Sequence, residues 1–339
     1  MQNWKRVFIL LMLVAVGPCL AGEYFNSDGV RIYYAVEGNG EPVVLIHGWA
    51  VDSSMWGAVA TTLAGEFRVI ALDCRGHGKS DKPHDPQAYC PQMAQEVVRL
   101  LDHLGIVRAH LVGYSMGAIL AGEILAEHPE RVLSAVFAGG APVLKWDEDD
   151  LRETDAFLDR WNRDGLLQLI TRLVLGDVDR VALTWANRSL REIRVSPTAL
   201  QAYPGPVLFI YGSNDWPSTK RYVAAARLAF RQSDLVVVPG ADHLSTPSRR
   251  EFSETILHFL CASRPPAAPC ETQARLNEAL PFIHRPIASL EIFGDGKGGG
   301  SYSHRPTGAV PPEGRLPPGA PVSLCDLSGI RKALCPRAY

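Results

Sequence analysis

Short, uninterrupted apolar runs alternate with longer amphipathic stretches between residues 30 and 262. The runs are Val43-Val44-Leu45-Ile46, Val69-Ile70-Ala71-Leu72, His110-Leu111-Val112, Ala135-Val136-Phe137, Val207-Leu208-Phe209-Ile210 and Leu235-Val236-Val237-Val238. Runs with so little polar alternation are expected of strands covered by helices on both faces. Between them the apolar spacing predicts helices over 91–104, 116–128, 218–230 and 247–260. Strands that alternate with helices argue for βαβ units, and so for an α/β fold with a mainly parallel sheet flanked by helices.

Two stretches break this rhythm and divide the core into residues 22–142 and 201–263. Residues 143–200 carry the charge cluster Asp147, Glu148, Asp149, Asp150 and large apolar side chains including Trp146, Trp161, Leu166, Leu167, Ile170 and Trp185. They read as a helical lid inserted between two strands, placed to roof a pocket at the strand C-termini, where open α/β sheets keep their ligands. Each tryptophan taken alone is expected to pack the insertion onto the core. Residues 264–339 hold twelve of the chain's 25 prolines and the run Gly298-Gly299-Gly300. That composition buries too little apolar surface to offset ordering entropy, so the segment reads as a flexible extension with no role in chemistry.

The first 21 residues have the form of a signal peptide. Lys5 and Arg6 precede the apolar run Val7 to Val16, Gly17 and Pro18 break it, and Cys19-Leu20-Ala21 offers small residues for cleavage. About ten apolar residues fall short of the roughly twenty that span a bilayer. The expectation is export to the periplasm or beyond; an uncleaved membrane anchor is the alternative. Of seven cysteines, six remain after cleavage, a number suited to an oxidising compartment. Cys261/Cys270 and Cys325/Cys335 are close in sequence, and Cys74/Cys90 could form a third pair; buried free thiols are the other reading, particularly for Cys74. Lys+Arg 34 against Asp+Glu 36 leaves no basic field for a polyanion, so nucleic acid is not an expected partner.

The sharpest local signal is Gly113-Tyr114-Ser115-Met116-Gly117, between an apolar strand and a helical pattern, which is the context of a nucleophile elbow. The string alone is weak; residues farther along the chain carry more weight. A serine hydroxyl is a poor nucleophile until a base takes its proton and an acid orients that base. Asp215 lies just past the run Val207 to Ile210, and His243 just past Leu235 to Val238. All three side chains should therefore converge on one edge of the sheet, in the order Ser, Asp, His. Asp242, adjacent to His243, is poorly placed to reach its Nδ1. The backbone N–H of Met116 and that of Trp49, after the run Val43 to Ile46, are the expected oxyanion donors, with Gly48 letting the backbone turn toward the serine. Asp73 and Arg75, in Asp73-Cys74-Arg75-Gly76-His77-Gly78-Lys79-Ser80, are read as ties between loops. No cofactor is called for, and the remaining histidines lack ligand spacing for a metal.

Together these segments resemble the α/β-hydrolase superfamily over residues 24–262, within it the small-lid group of serine esterases, enol-lactonases and perhydrolases. The resemblance rests on His47-Gly48-Trp49, Asp73-x-Arg75-Gly76-x-Gly78-x-Ser80, Gly113-Tyr114-Ser115-Met116-Gly117, Gly212-x-x-Asp215 and Gly240-x-Asp242-His243. It implies a catalytic triad of Ser115, Asp215 and His243, an oxyanion hole at Trp49 and Met116, and a small-molecule ester or lactone as substrate. Ala50 stands where a proline is common in the perhydrolases, and Ala118 where a second glycine is frequent. A serine at 115 separates the chain from the aspartate-dependent dehalogenases and epoxide hydrolases. Ester or lactone cleavage through an acyl-enzyme is the leading expectation. C–C bond hydrolysis, acyl transfer or perhydrolysis with the same residues, and a non-catalytic binding protein on this scaffold, are the alternatives.

Overall fold

A computed structural model describes residues 22–176 and 178–264. The expected signal peptide, the C-terminal extension from 265 and the pairings that involve Cys270, Cys325 and Cys335 lie outside the described residues.

The strands are β1 (Glu23–Ser27), β2 (Val30–Glu37), β3 (Glu41–Ile46), β4 (Phe67–Leu72), β5 (Ala109–Tyr114), β6 (Val132–Ala138), β7 (Val207–Gly212) and β8 (Asp234–Val238). They form one sheet in the order β1-β2-β4-β3-β5-β6-β7-β8. β1 and β2 make an antiparallel hairpin, β2 pairs antiparallel with β4, and every other neighbour is parallel. The hairpin did not show in the apolar runs, because Val30–Glu37 mixes Arg31, Tyr33, Tyr34 and Glu37 with its aliphatic residues.

Successive side chains of the central strands point to opposite faces and build two cores. Val44, Ile46, Leu111, Phe137 and Phe209 meet α2 (Gln92–His103), α3 (Met116–Glu127) and α8 (Pro217–Ala229) on one face. Val43, Leu45, Val112, Val136 and Leu208 meet α1 (Gly57–Ala64) and α9 (Arg250–Ala262) on the other. Coverage on both faces explains why those strands read as unbroken apolar runs. The last run departs from the expectation: β8 is an edge strand, its Leu235 and Val236 half-buried and Val237 41% exposed.

The segment between β6 and β7 holds, among the described residues, the α-helices α4 (Glu148–Arg163), α5 (Gly165–Leu175), α6 (Arg180–Ser189) and α7 (Pro197–Ala202), with a 3₁₀ turn at Leu190–Glu192 after α6. The charge cluster is an N-terminal cap. Asp147 accepts hydrogen bonds from the N–H groups of Asp149 and Asp150, and the acidic first turn complements the helix dipole. Asp164 and Asp179 cap α5 and α6 in the same way. Leu158, Trp161 and Leu183 form a small core inside the insertion, and Trp49 packs against it.

Cys74 and Cys90 do not pair: both are free thiols buried in the larger core. Burial pushes the Cys90 thiol up to about 12 and Cys74 higher than its ordinary value. They behave as small apolar residues.

Candidate active site

The turn from β5 into α3 is sharp enough to force Ser115 into φ 53, a region costly for a residue with a side chain. Its flanking glycines are steric requirements. A Cβ on Gly113 would sit 2.2 Å from the Gly117 carbonyl oxygen, and one on Gly117 would sit 2.0 Å from that of Ile46. With both positions bare, α3 lies against β3 and β5 and holds Ser115 at the sheet edge.

Ser115 Oγ lies 3.0 Å from His243 Nε2, and His243 Nδ1 lies 2.9 Å from Asp215 Oδ1. Asp215 accepts through Nδ1–H, which leaves the Nε2 lone pair facing the serine hydroxyl. Asp215 and His243 are buried. The Trp216 N–H donates to the same Asp215 oxygen, at 2.7 Å, while Oδ2 is buried with no donor among the described residues. The structure thus brings together the three side chains that the order along the chain singled out. The Asp242 carboxylate is engaged instead by Leu244 and Ser245. Burial alone would push its carboxyl up, but hydrogen bonds from Ser245 and the Leu244 N–H outweigh burial and hold it low.

Two residues that fix His243 were not singled out by the sequence. Trp216 stacks its indole on the imidazole, 3.8 Å between centroids and 17° between planes. The Tyr114 hydroxyl donates to the His243 backbone carbonyl from beneath. Burial pushes the Tyr114 phenol well above its usual range, so it stays a donor. Both adjoin a motif residue, Asp215 in one case and Ser115 in the other, and that adjacency was the only available signal.

Met116 opens α3, so its N–H has no acceptor inside the helix. Trp49 follows β3 across the edge from it. The peptide that carries the Trp49 N–H is held by His47. The Cys74 N–H donates to His47 Nε2 at 2.9 Å, so the proton sits on Nδ1 and donates to the Gly48 carbonyl at 2.6 Å. In a trans peptide the next N–H points the opposite way from that carbonyl. Burial, the larger cause, pushes the His47 imidazole below its ordinary value and keeps it neutral. The left-handed turn in this loop falls at Ala50, φ 63, and not at Gly48, where an added Cβ would meet only ordinary contacts at 3.6 Å. Proline, confined near φ −65°, could not take Ala50's conformation. The Trp49 indole both lines a cavity and packs. Its Nε1–H donates to the Leu183 carbonyl at 2.8 Å, and its ring meets Phe157 and Trp161 edge-on.

Asp73 and Arg75 tie loops together. Asp73 accepts the N–H groups of Ser53 and Lys79, and Arg75 forms a buried ion pair with Glu96 at 2.6 Å. His77 is buried beside His47 and held at about 3, mainly by burial and then by its histidine neighbour. Ser115, Met116 and Trp49 line a cavity of about 150 Å³ together with residues of the inserted helices.

The family model for the α/β hydrolase fold matches residues 41–204. The dihydrolipoyllysine-residue acetyltransferase component of the acetoin cleaving system of Cupriavidus necator is 34% identical over 176 residues, 52% of this chain and 46% of that protein. The chain thus matches less than half the length of that relative. The pimeloyl-[acyl-carrier protein] methyl ester esterase of Nitrosospira multiformis is 26% identical over 68% of this chain and 98% of its own. Among solved structures, the enol-lactonase from Burkholderia xenovorans superposes with a TM-score of 0.58 at 24% identity, over 70% of this chain and 98% of its own. Over the matched residues the chain has the α/β-hydrolase fold, and it is similar to members of that superfamily.

Proposed function

We propose that the protein is a serine hydrolase that cleaves a carboxylic ester or lactone through an acyl-enzyme. The observation that carries this reading is the hydrogen-bonded chain from Ser115 Oγ to His243 Nε2, at 3.0 Å, and from His243 Nδ1 to Asp215, at 2.9 Å. Ser115 attacks the carbonyl carbon while His243 takes its proton. Asp215 holds the imidazole in the productive tautomer and stabilises the imidazolium. The N–H groups of Trp49 and Met116 receive the oxyanion. Collapse of the tetrahedral intermediate expels the alcohol, which takes the proton from His243. Water, activated by the same imidazole, then frees the acid.

Stacking of Trp216 on His243 supports the reading, since an indole face favours a cation beside it. An esterase among the relatives and an enol-lactonase among the structural neighbours are compatible with it. Export, with residues 1–21 removed as a signal peptide, is part of the proposal and rests on the sequence of that segment alone.

The test is a fluorophosphonate probe with p-nitrophenyl esters of graded length and a few lactones. Ser115 is expected to label, and Ser115→Ala to lose labelling and turnover together. Undiminished turnover in Ser115→Ala overturns the mechanism, and a correctly folded protein whose Ser115 does not label points to the non-catalytic alternative. N-terminal sequencing of the protein recovered outside the cytoplasm checks export; a chain that still begins at Met1 refutes cleavage.

A further inference from the structure

The walls of the cavity that Ser115 lines differ sharply in character. Ile119, Leu151 and Leu190 contribute an apolar surface, whereas Thr154, Asn187 and Arg191 present polar side chains to the same space. The Thr154 hydroxyl and the Asn187 amide make no hydrogen bond to any described residue, although each could make at least one. Arg191 is oriented from the side: Asp155, next to Thr154 on α4, accepts from its Nη2 at 2.7 Å. Asp155 also receives Arg188, which pairs in addition with Asp159, so the two guanidinium groups meet two carboxylates. That pairing occupies one edge of the Arg191 fork. Its Nε–H is buried with no acceptor among the described residues.

Thr154, Asn187 and Arg191 are half-buried around this space, so their polar groups stay open to a ligand that supplies matching partners. Asn187 lies one helical turn before Arg191, so both approach the cavity from one side, and Thr154 reaches it from α4. A guanidinium already oriented by a carboxylate loses little rotamer freedom on binding a second one, and its planar fork matches carboxylate geometry. From this we infer that the substrate is a small ester carrying a carboxylate remote from the scissile bond, received by Arg191 with Asn187 and Thr154. The inference rests on the hydrolase reading and deepens it. The cavity's volume of about 150 Å³ suits a short chain, such as the half-ester of a four- or five-carbon dicarboxylic acid.

Two substrate pairs test it, each matching an anionic ester with a neutral one. p-Nitrophenyl hydrogen succinate against p-nitrophenyl butyrate places the carboxylate on the acyl side. 3-Carboxyphenyl acetate against phenyl acetate places it on the alcohol side. In one pair the unsubstituted enzyme is expected to favour the anion in kcat/KM, and Arg191→Gln to reduce that preference by about tenfold to a hundredfold, mostly through KM. Arg191→Lys, which keeps the charge without the fork, is expected to restore part of it. Fluorophosphonate labelling of Ser115 and the unfolding temperature are measured on each variant. Labelling and turnover with no Arg191-dependent preference in either pair overturn the inference and leave the hydrolase reading intact. Loss of labelling and turnover in the unsubstituted protein removes both.

Discussion

Replacing Gly117 by alanine tests whether the packing of α3 on β3 sets the geometry of Ser115, the proposed nucleophile. The new Cβ would lie 2.0 Å from the Ile46 carbonyl oxygen, 2.7 Å from its carbon and 2.9 Å from the His47 carbonyl oxygen. Real Cβ atoms essentially never come closer than 3.0 Å, so the start of α3 has to retreat by about 1 Å. Both nearest atoms belong to a central strand's backbone and cannot yield as a side-chain tip could. A shift of that size carried into Ser115 opens its 3.0 Å contact with His243 beyond hydrogen-bond range. Misplacement by about 1 Å costs on the order of 10² in rate, and forcing a methyl into a packed site costs about 1–3 kcal/mol of stability. For a domain of this size the latter lowers the unfolding temperature by roughly 2–10 °C. Gly65→Ala is the matched control: nothing lies within 4 Å of the added Cβ, and its φ of −65 suits alanine. It is expected to be neutral or slightly stabilising. The assay is kcat/KM on an activated ester together with thermal unfolding of both variants. Unchanged kcat/KM and an unchanged unfolding temperature in Gly117→Ala would refute the steric argument.

Trp49→Phe keeps an aromatic ring against Phe157 and Trp161 but deletes the donor to the Leu183 carbonyl. Loss of about 1 kcal/mol from that tether, carried to the proposed oxyanion donor, is expected to lower kcat about fivefold with KM little changed; a change confined to KM would speak against the coupling. Glu123 is buried on α3 with no partner for Oε2 among the described residues, and burial, then Glu127 and Glu192, push its carboxyl up to about 7. The folded protein therefore holds a proton there that the unfolded chain has released, and stability falls as pH rises from about 4.5 through 7. Glu123→Gln is expected to be more stable than the unsubstituted protein at pH 8 by about 1–3 kcal/mol, with the gain gone below pH 4.5. A gain independent of pH in denaturant titrations would contradict the assignment.

Ser115, Asp215 and His243 could be found along the chain because each comes just after a strand whose sequence is an unbroken apolar run. Parallel strands all end at the same edge of the sheet, so the loops that leave them deliver their side chains to one place. The β1–β2 hairpin escaped the same reading: one of its strands is at the sheet edge, and its tyrosines and charges blur the pattern. At the other edge β8 did announce itself, yet it is covered less than its sequence suggested. Cys74 and Cys90 show the opposite failure, since an even count of cysteines carries no information on whether two of them meet.

The sequence by itself determined the α/β architecture, the order of the three candidate reactive side chains and the need for glycine on both sides of Ser115. Those arise from periodicity and local sterics, which act between near neighbours in the chain. Only the tertiary structure decided which side chains surround them: Trp216 on the His243 ring, His47 on the Gly48 carbonyl, Trp49 against the inserted helices, and Arg191 lining the same cavity as Ser115. Such contacts join residues up to 134 positions apart, and no local pattern encodes them. They exist because helices must cover an apolar sheet edge, and the packing that covers it selects the residues that face the serine.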